Sequence, residues 1–180
     1  MNLHSEYEFR CRENSDIVDH LPRLFDLACR YPGCQVIDLG VRHGNSTAAF
    51  LAAVEFVDGH VWSVDMHVPQ VPTWWQGTGR WTFISGDDLN PAVYVDLPDV
   101  DIVFIDTSHH YEHTAAELDL YRHKARHLIV CHDTQLEQPD GAPPEPKFPV
   151  RKAICEFVET HGFTWTEYPE CWGLGVIEVA

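Results

Sequence analysis

Basic residues are scarce in this chain: 12 Lys and Arg stand against 28 Asp and Glu, a formal net charge of −16. They are scattered rather than gathered in a stripe, so a nucleic-acid backbone or an anionic membrane surface would be repelled. Long apolar runs are lacking too. None approaches the roughly 18 residues of a membrane span, and the opening MNLHSEYEFRCREN has no apolar signal-peptide core. The six cysteines (11, 29, 34, 131, 155 and 171) include no C-x-x-C pair. Cys29, Cys34 and Cys131 lie in or beside core-like runs, so free thiols in a reducing cytoplasm are the simpler reading. Neither an internal repeat nor a second domain is visible in the 180 residues. The expectation is one cytoplasmic domain with no nucleic-acid or membrane partner. A homo-oligomer is compatible with this sequence, which carries no readable sign of oligomeric state.

What is present is an alternation of segment types. At 44% hydrophobic and 22% charged, the chain has the makings of an ordinary globular core. SDIVDHLPRLFDLACRY (15–31) has one apolar helical face; Ser15 is placed to cap a first turn, and Pro22 puts the main start near itself. Short β-type runs follow at 34–40, 60–66, 81–87, 100–106 and 127–133. Helical runs at 46–56, 114–126 and 150–162 alternate with them. Two loops stand out: 67–79, with a Trp74–Trp75 pair, and Pro-rich 134–149, long enough for a lid. The final FTWTEYP and WGLGVIEVA read as an antiparallel strand pair. Strands without clean alternation, separated by helices, predict an α/β fold with a mostly parallel, doubly wound sheet covered on both faces.

Such sheets bind ligands beyond the carboxyl ends of their strands, at the topological switch point. The residues there are Asp38 and Gly40, Asp65, Asp87 and Asp88, Asp106, and His132 and Asp133. Every parallel strand ends in an acid. In VIDLGVRHGNST, Gly40 and Gly44 allow a sharp turn and close approach of a ligand to the backbone. Amides opening the next helix, with the Ser46 hydroxyl, can meet a negative group. The motif is D-x-G-x-x-x-G, one glycine short of a pyrophosphate site, and suits a single small anionic end. Asp65 is placed for ribose hydroxyls, and Gly86-Asp87-Asp88 for an adenine amino group. Carboxylate, ribose and adenine are the parts of S-adenosylmethionine.

On these residues the chain resembles the class I S-adenosylmethionine-dependent methyltransferases over nearly its whole length. The resemblance makes Asp38-x-Gly40-x-x-x-Gly44 the glycine-rich motif, Asp65 the ribose acid, Gly86-Asp87 the adenine-side motif and Asp106 a residue facing cofactor and substrate. It implies a Rossmann-like seven-stranded sheet in the order 3-2-1-4-5-7-6 with the last strand antiparallel. FIDTSHHYEHTAAELDLY followed by LIVCHDT is similar to a bacterial branch with I-D-G-S-H-x-Y-E and a later H-D. That branch includes small-molecule and sugar O-methyltransferases. Thr107 stands where it usually has Gly.

Several readings stay open at this level. Asp106, His132 and Asp133, on strand ends about 4.8 Å apart if adjacent, can converge on a divalent cation. Magnesium would favour the carboxylates, and His132 a transition metal or zinc. Alternatively Asp133 caps a loop and His132 is a buried or substrate-facing imidazole. His109 or His110 is expected as the general base, while Asp87 or Asp88 is also a candidate helix cap. His109 and His113 fit a helical H-x-x-x-H zinc pattern but lack the H-E-x-x-H order of a metalloprotease. Trp74 and Trp75 wall the ligand or merely pack their loop. The expected activity is methyl transfer to a small-molecule acceptor, at a hydroxyl oxygen. The competing classes are a non-catalytic nucleotide-binding module and a nicotinamide-dependent oxidoreductase.

Overall fold

The computed structural model of the protein describes residues 2–138 and 146–179. Its helices are α1 (Leu3–Arg10), α2 (Leu21–Cys29), α3 (Asn45–Val57), α4 (Pro91–Asp96), α5 (Tyr111–Tyr121) and α6 (Pro149–His161). Its strands are β1 (Gln35–Leu39), β2 (His60–Asp65), β3 (Trp81–Ser85), β4 (Val100–Ile105), β5 (Ala125–His132), β6 (Thr164–Tyr168) and β7 (Leu174–Glu178). They form one seven-stranded sheet in the order β3-β2-β1-β4-β5-β7-β6. β1 to β5 are parallel, and β7 runs antiparallel between β5 and β6.

Strand parity sorts the core into two layers. Val36, Val61, Ile102, Phe104 and Val130 meet α1, α2 and α3 on one face. Ile37, Val103, Ile105, Ile129 and Cys131 meet α5 and α6 on the other. Because both faces are covered, the strands read as nearly continuous apolar runs. Order reverses between β1 and β4, so the loops leaving them diverge and open a crevice.

Local boundaries differ from the sequence reading in instructive ways. Ser15 caps no helix and its Oγ has no hydrogen-bond partner; a 3₁₀ turn at Val18–His20 leads into α2, with Pro22 in its first turn. α1 was hidden by its weak amphipathicity and is capped by Asn2, whose Oδ1 accepts from the Ser5 amide. α5 ends at Tyr121, earlier than 126, because Ala125 already pairs with Val100 in the sheet. All six cysteines are free. Of the expected 134–149 lid, 139–145 lie outside the described residues. No helix among the described residues is long and apolar enough to cross a membrane.

Candidate active site

The crevice at the switch point is a cavity of about 1280 Å³. Gly40, Asp65, Gly86, Asp87 and Asp106, from the ends of four adjacent strands, all line it. The strand-end acids therefore do gather along one edge.

Gly40 is where that convergence is tightest. Its φ is +87°, and a Cβ there would sit 1.9 Å from the Asp106 carbonyl oxygen. The Asp106 amide in turn donates to the Leu39 carbonyl at 2.9 Å. Gly44, with φ +77°, plays a different part: a Cβ would strike Val71 at 2.5 Å and Trp75 at 2.9 Å. It lies beneath the 67–79 loop and does not line the cavity. Trp75 is fully buried and packs edge-on against Trp81 at 5.6 Å, so it belongs to the core.

Asp38 is also behind the wall. On even parity with Val36 it points toward α3, where Ser46 Oγ donates to it at 3.0 Å and Thr47 Oγ1 at 2.5 Å. Ser63, its register partner on β2, donates at 3.1 Å. Its side chain is wholly buried, and burial raises its pKa to about 6, against the pull of those three hydroxyls. The Ser46 hydroxyl is thus committed to Asp38, although Ser46 itself still lines the cavity. Asp38 fixes the first turn of α3 to the sheet. Since its folded pKa lies above its unfolded value, its favourable contribution is complete below about pH 4 and is lost as pH rises to about 6. Asp38→Asn, which cannot ionise, should therefore gain stability relative to wild type by roughly 2 kcal/mol between pH 4 and 6. Urea titrations at pH 4, 5 and 6 check this; parallel curves for the two proteins would contradict it.

Asp65 builds the loop it faces. Its Oδ2 accepts from the amides of Val41 at 2.9 Å and Arg42 at 3.0 Å, and its Oδ1 from His67 at 2.8 Å. A carboxylate offers about four acceptor sites, which leaves one on Oδ1. Asp87 is exposed and accepts from the Leu89 amide. Asn90, rather than either aspartate, caps α4. Asp88 turns inward, 8% exposed, toward His113 and Glu117.

At the end of β4 the backbone places His109 in the left-handed region, φ +59°, just before α5 begins. Its Nε2 lies 3.1 Å from Asp106 Oδ1 and 3.0 Å from Asp133 Oδ2. His132 is buried behind them. Its Nε2 donates to the Cys171 carbonyl at 2.9 Å, and its Nδ1 faces Asp133 Oδ2 at 3.2 Å without a hydrogen-bonding geometry. Burial alone would lower both imidazole pKa values, but the adjacent Asp106 and Asp133 carboxylates outweigh it and raise them. Burial likewise pushes Asp106 up, and the two imidazoles more than reverse that. His110 is exposed at the start of α5 and does not line the cavity. His109 and His113 do not share a site, because the helix starts only after His109: one faces Asp106 and Asp133, the other Asp88 and Glu117.

The roof of the cavity comes from segments with no motif. Phe9, Arg10 and Ile17 of the N-terminal region and exposed Trp172 line it. Arg10 Nη1 donates to the His43 carbonyl at 2.8 Å and to Asn45 Oδ1 at 3.1 Å, bringing a guanidinium to the N-terminus of α3. Glu6 orients it from within α1, accepting from Nε at 2.9 Å. No local sequence signal marks Arg10; only its distant contact does.

Known proteins match this arrangement at the level of fold. The PaMTH1 methyltransferase of Podospora anserina, solved with S-adenosylhomocysteine, has a TM-score of 0.66 at 15% identity, covering 97% of this chain and 86% of that one. A Staphylococcus aureus candidate caffeoyl-CoA O-methyltransferase has 0.65 at 16%, over 88% and 81%. The MycE methyltransferase of the mycinamycin biosynthetic pathway, solved with Mg, S-adenosylhomocysteine and mycinamycin VI, has 0.70 at 14%, over 98% of this chain and 52% of MycE. This chain thus spans about half the length of MycE. No individual curated protein aligns significantly with the sequence. The methyltransferase domain family, however, matches residues 37–134, from within β1 to just past β5. With more than half of its length accounted for in this way, the chain belongs to the methyltransferase domain family.

Proposed function

We propose that the protein transfers a methyl group from S-adenosylmethionine to a hydroxyl oxygen of a small-molecule acceptor, with His109 as the general base. The observation that carries this reading is the gathering of Asp65, Asp87 and Asp106 with Gly40 around one crevice at the switch point. The methionine carboxylate would meet the open amides of α3 and the Arg10 guanidinium. The ribose would meet the remaining acceptor site of Asp65, and the adenine would lie toward Gly86 and Asp87. A cavity of about 1280 Å³ exceeds the roughly 300–1,000 Å³ usual for one drug-sized ligand, leaving room for donor and acceptor together.

Methyl transfer from a sulfonium is an in-line displacement with an activated donor, so alignment and removal of the hydroxyl proton are what the protein must supply. His109 is on the cavity wall, and the two carboxylates around Nε2 orient it and make it more basic. A divalent cation also fits at Asp106, Asp133 and the unpartnered Nδ1 of His132, whose Nε2–H donates to a backbone carbonyl as metal-bound imidazoles commonly do. When bound, such an ion would lower the pKa of an acceptor hydroxyl. An acidic rim suits neutral or cationic acceptors better than polyanions.

Calorimetry with S-adenosylhomocysteine, beside a radiolabelled methyl-transfer assay over hydroxylated small molecules, tests the reading. No heat with that nucleoside overturns it, and binding without turnover on any acceptor favours a non-catalytic module. Arg10→Ala should weaken S-adenosylhomocysteine binding by about 10–100-fold, the worth of one charge-assisted contact. Unchanged affinity would remove Arg10 from the site.

A further inference from the structure

On the side of α5 facing the β3–α4 loop, Asp88, His113 and Glu117 each bring one ligand atom within 4.8 Å of the other two. His113 and Glu117 are one turn apart on α5, so their side chains leave the same helical face. Asp88 meets them from the opposite wall. Asp88 and Glu117 are 8% and 0% exposed. Asp88 Oδ2, His113 Nε2 and Glu117 Oε2 are all buried without a hydrogen-bond partner. Buried polar atoms are nearly always satisfied, so three orphans pointing at one place require an explanation.

We infer that this cluster is a binding site for a zinc-like divalent cation, separate from Asp106, His109 and Asp133. One ligand–ligand distance bears on the geometry. His113 Nε2 stands 3.4 Å from Asp88 Oδ2, longer than a good hydrogen bond, and 3.5 Å from Glu117 Oε1, the oxygen that Thr107 holds, which leaves Oε2 as the free ligand atom. A tetrahedral ion with ligands at about 2.1 Å has ligand–ligand edges of about 3.4 Å. An octahedral ion at the same bond length has adjacent edges of only about 3.0 Å, and a mixed imidazole and carboxylate set favours zinc over magnesium. Thr107 Oγ1 donates to Glu117 Oε1 at 2.7 Å, the kind of outer contact that orients a ligating carboxylate. Thr107 stands where the resembling branch usually has Gly, and its hydroxyl is what makes this bond possible. Asp88 and His113 also line the main cavity, so the fourth position of the ion opens there to water or a ligand atom. The ion ties the β3–α4 loop to α5.

The test is titration of the full chain with cobalt(II) and zinc(II), and it does not depend on the methyl-transfer reading. One equivalent of cobalt should give the intense visible bands of tetrahedral coordination, displaced by zinc. His113→Gln and Asp88→Asn should each weaken binding at least a hundredfold, whereas His109→Gln should leave it unchanged. Thr107→Ala, a milder change in case the ligand variants unfold, should weaken it about tenfold. Zinc should raise the Tm of the wild type and not of His113→Gln. No binding, an octahedral spectrum, loss only in His109→Gln, or survival in His113→Gln and Asp88→Asn would each overturn the assignment.

Discussion

Replacing His109 by alanine is expected to lower kcat for methyl transfer by about 10²–10⁴-fold, the usual worth of a positioned general base. Affinity for S-adenosylhomocysteine should stay within about twofold, because the role proposed for His109 is on the acceptor side. His110→Ala should be close to wild type, since that side chain is exposed and away from the cavity. The pH profile provides an independent check. A base works deprotonated, and although burial lowers the His109 pKa, Asp106 and Asp133 raise it by more. The ascending limb of kcat/KM should therefore lie above pH 6.5, at a more alkaline position than a free imidazole would give. Asp133→Asn removes one of the two charges and should move that limb back toward acid. Unchanged turnover in His109→Ala, or a limb unaffected by Asp133→Asn, would take the base role away from His109.

The largest structural effect is expected from Gly40→Ala, which should cost about 4 kcal/mol or more, a Tm loss of at least about 10 °C. Two penalties coincide there. An L residue at φ +87° is strained, and its Cβ would sit 1.9 Å from a backbone oxygen of Asp106 that no rotamer change can move. Relief requires β1 and β4 to separate at the switch point, which breaks the bond from the Asp106 amide to Leu39 and opens the crevice. Gly33→Ala is the matched control: φ is +71° there, but nothing lies within 4 Å of the added carbon. It should cost only about 1 kcal/mol. Equal melting temperatures for the two variants would show that close packing at Gly40 is not what the turn depends on.

Much of the architecture was legible because the relevant signals are local. Apolar runs, Pro22 and the acids at strand ends each report on their own few residues, and together they imply strand–helix alternation. Where the reading failed, the cause was a competing contact. Ala125 was drawn from a helical run into the sheet by Val100. Ser15 was passed over as a cap because the chain turns through residues 18–20 before α2 begins. Asp38 had the residue type and place of a ligand contact. Only parity and register show that it faces α3 and Ser63 rather than the crevice.

Sequence alone determined the class of fold and the edge at which the strand-end acids gather, because parallel strands deliver their carboxyl ends to one side whatever joins them. Tertiary structure decided which of those residues act together. One left-handed residue, His109, sends its own imidazole to Asp106 and Asp133 and leaves His113 to Asp88 and Glu117. Arg10 reaches the start of α3 only because α1 packs across it. Such convergences depend on backbone direction and on contacts between distant segments, and neither leaves a periodic trace along the chain.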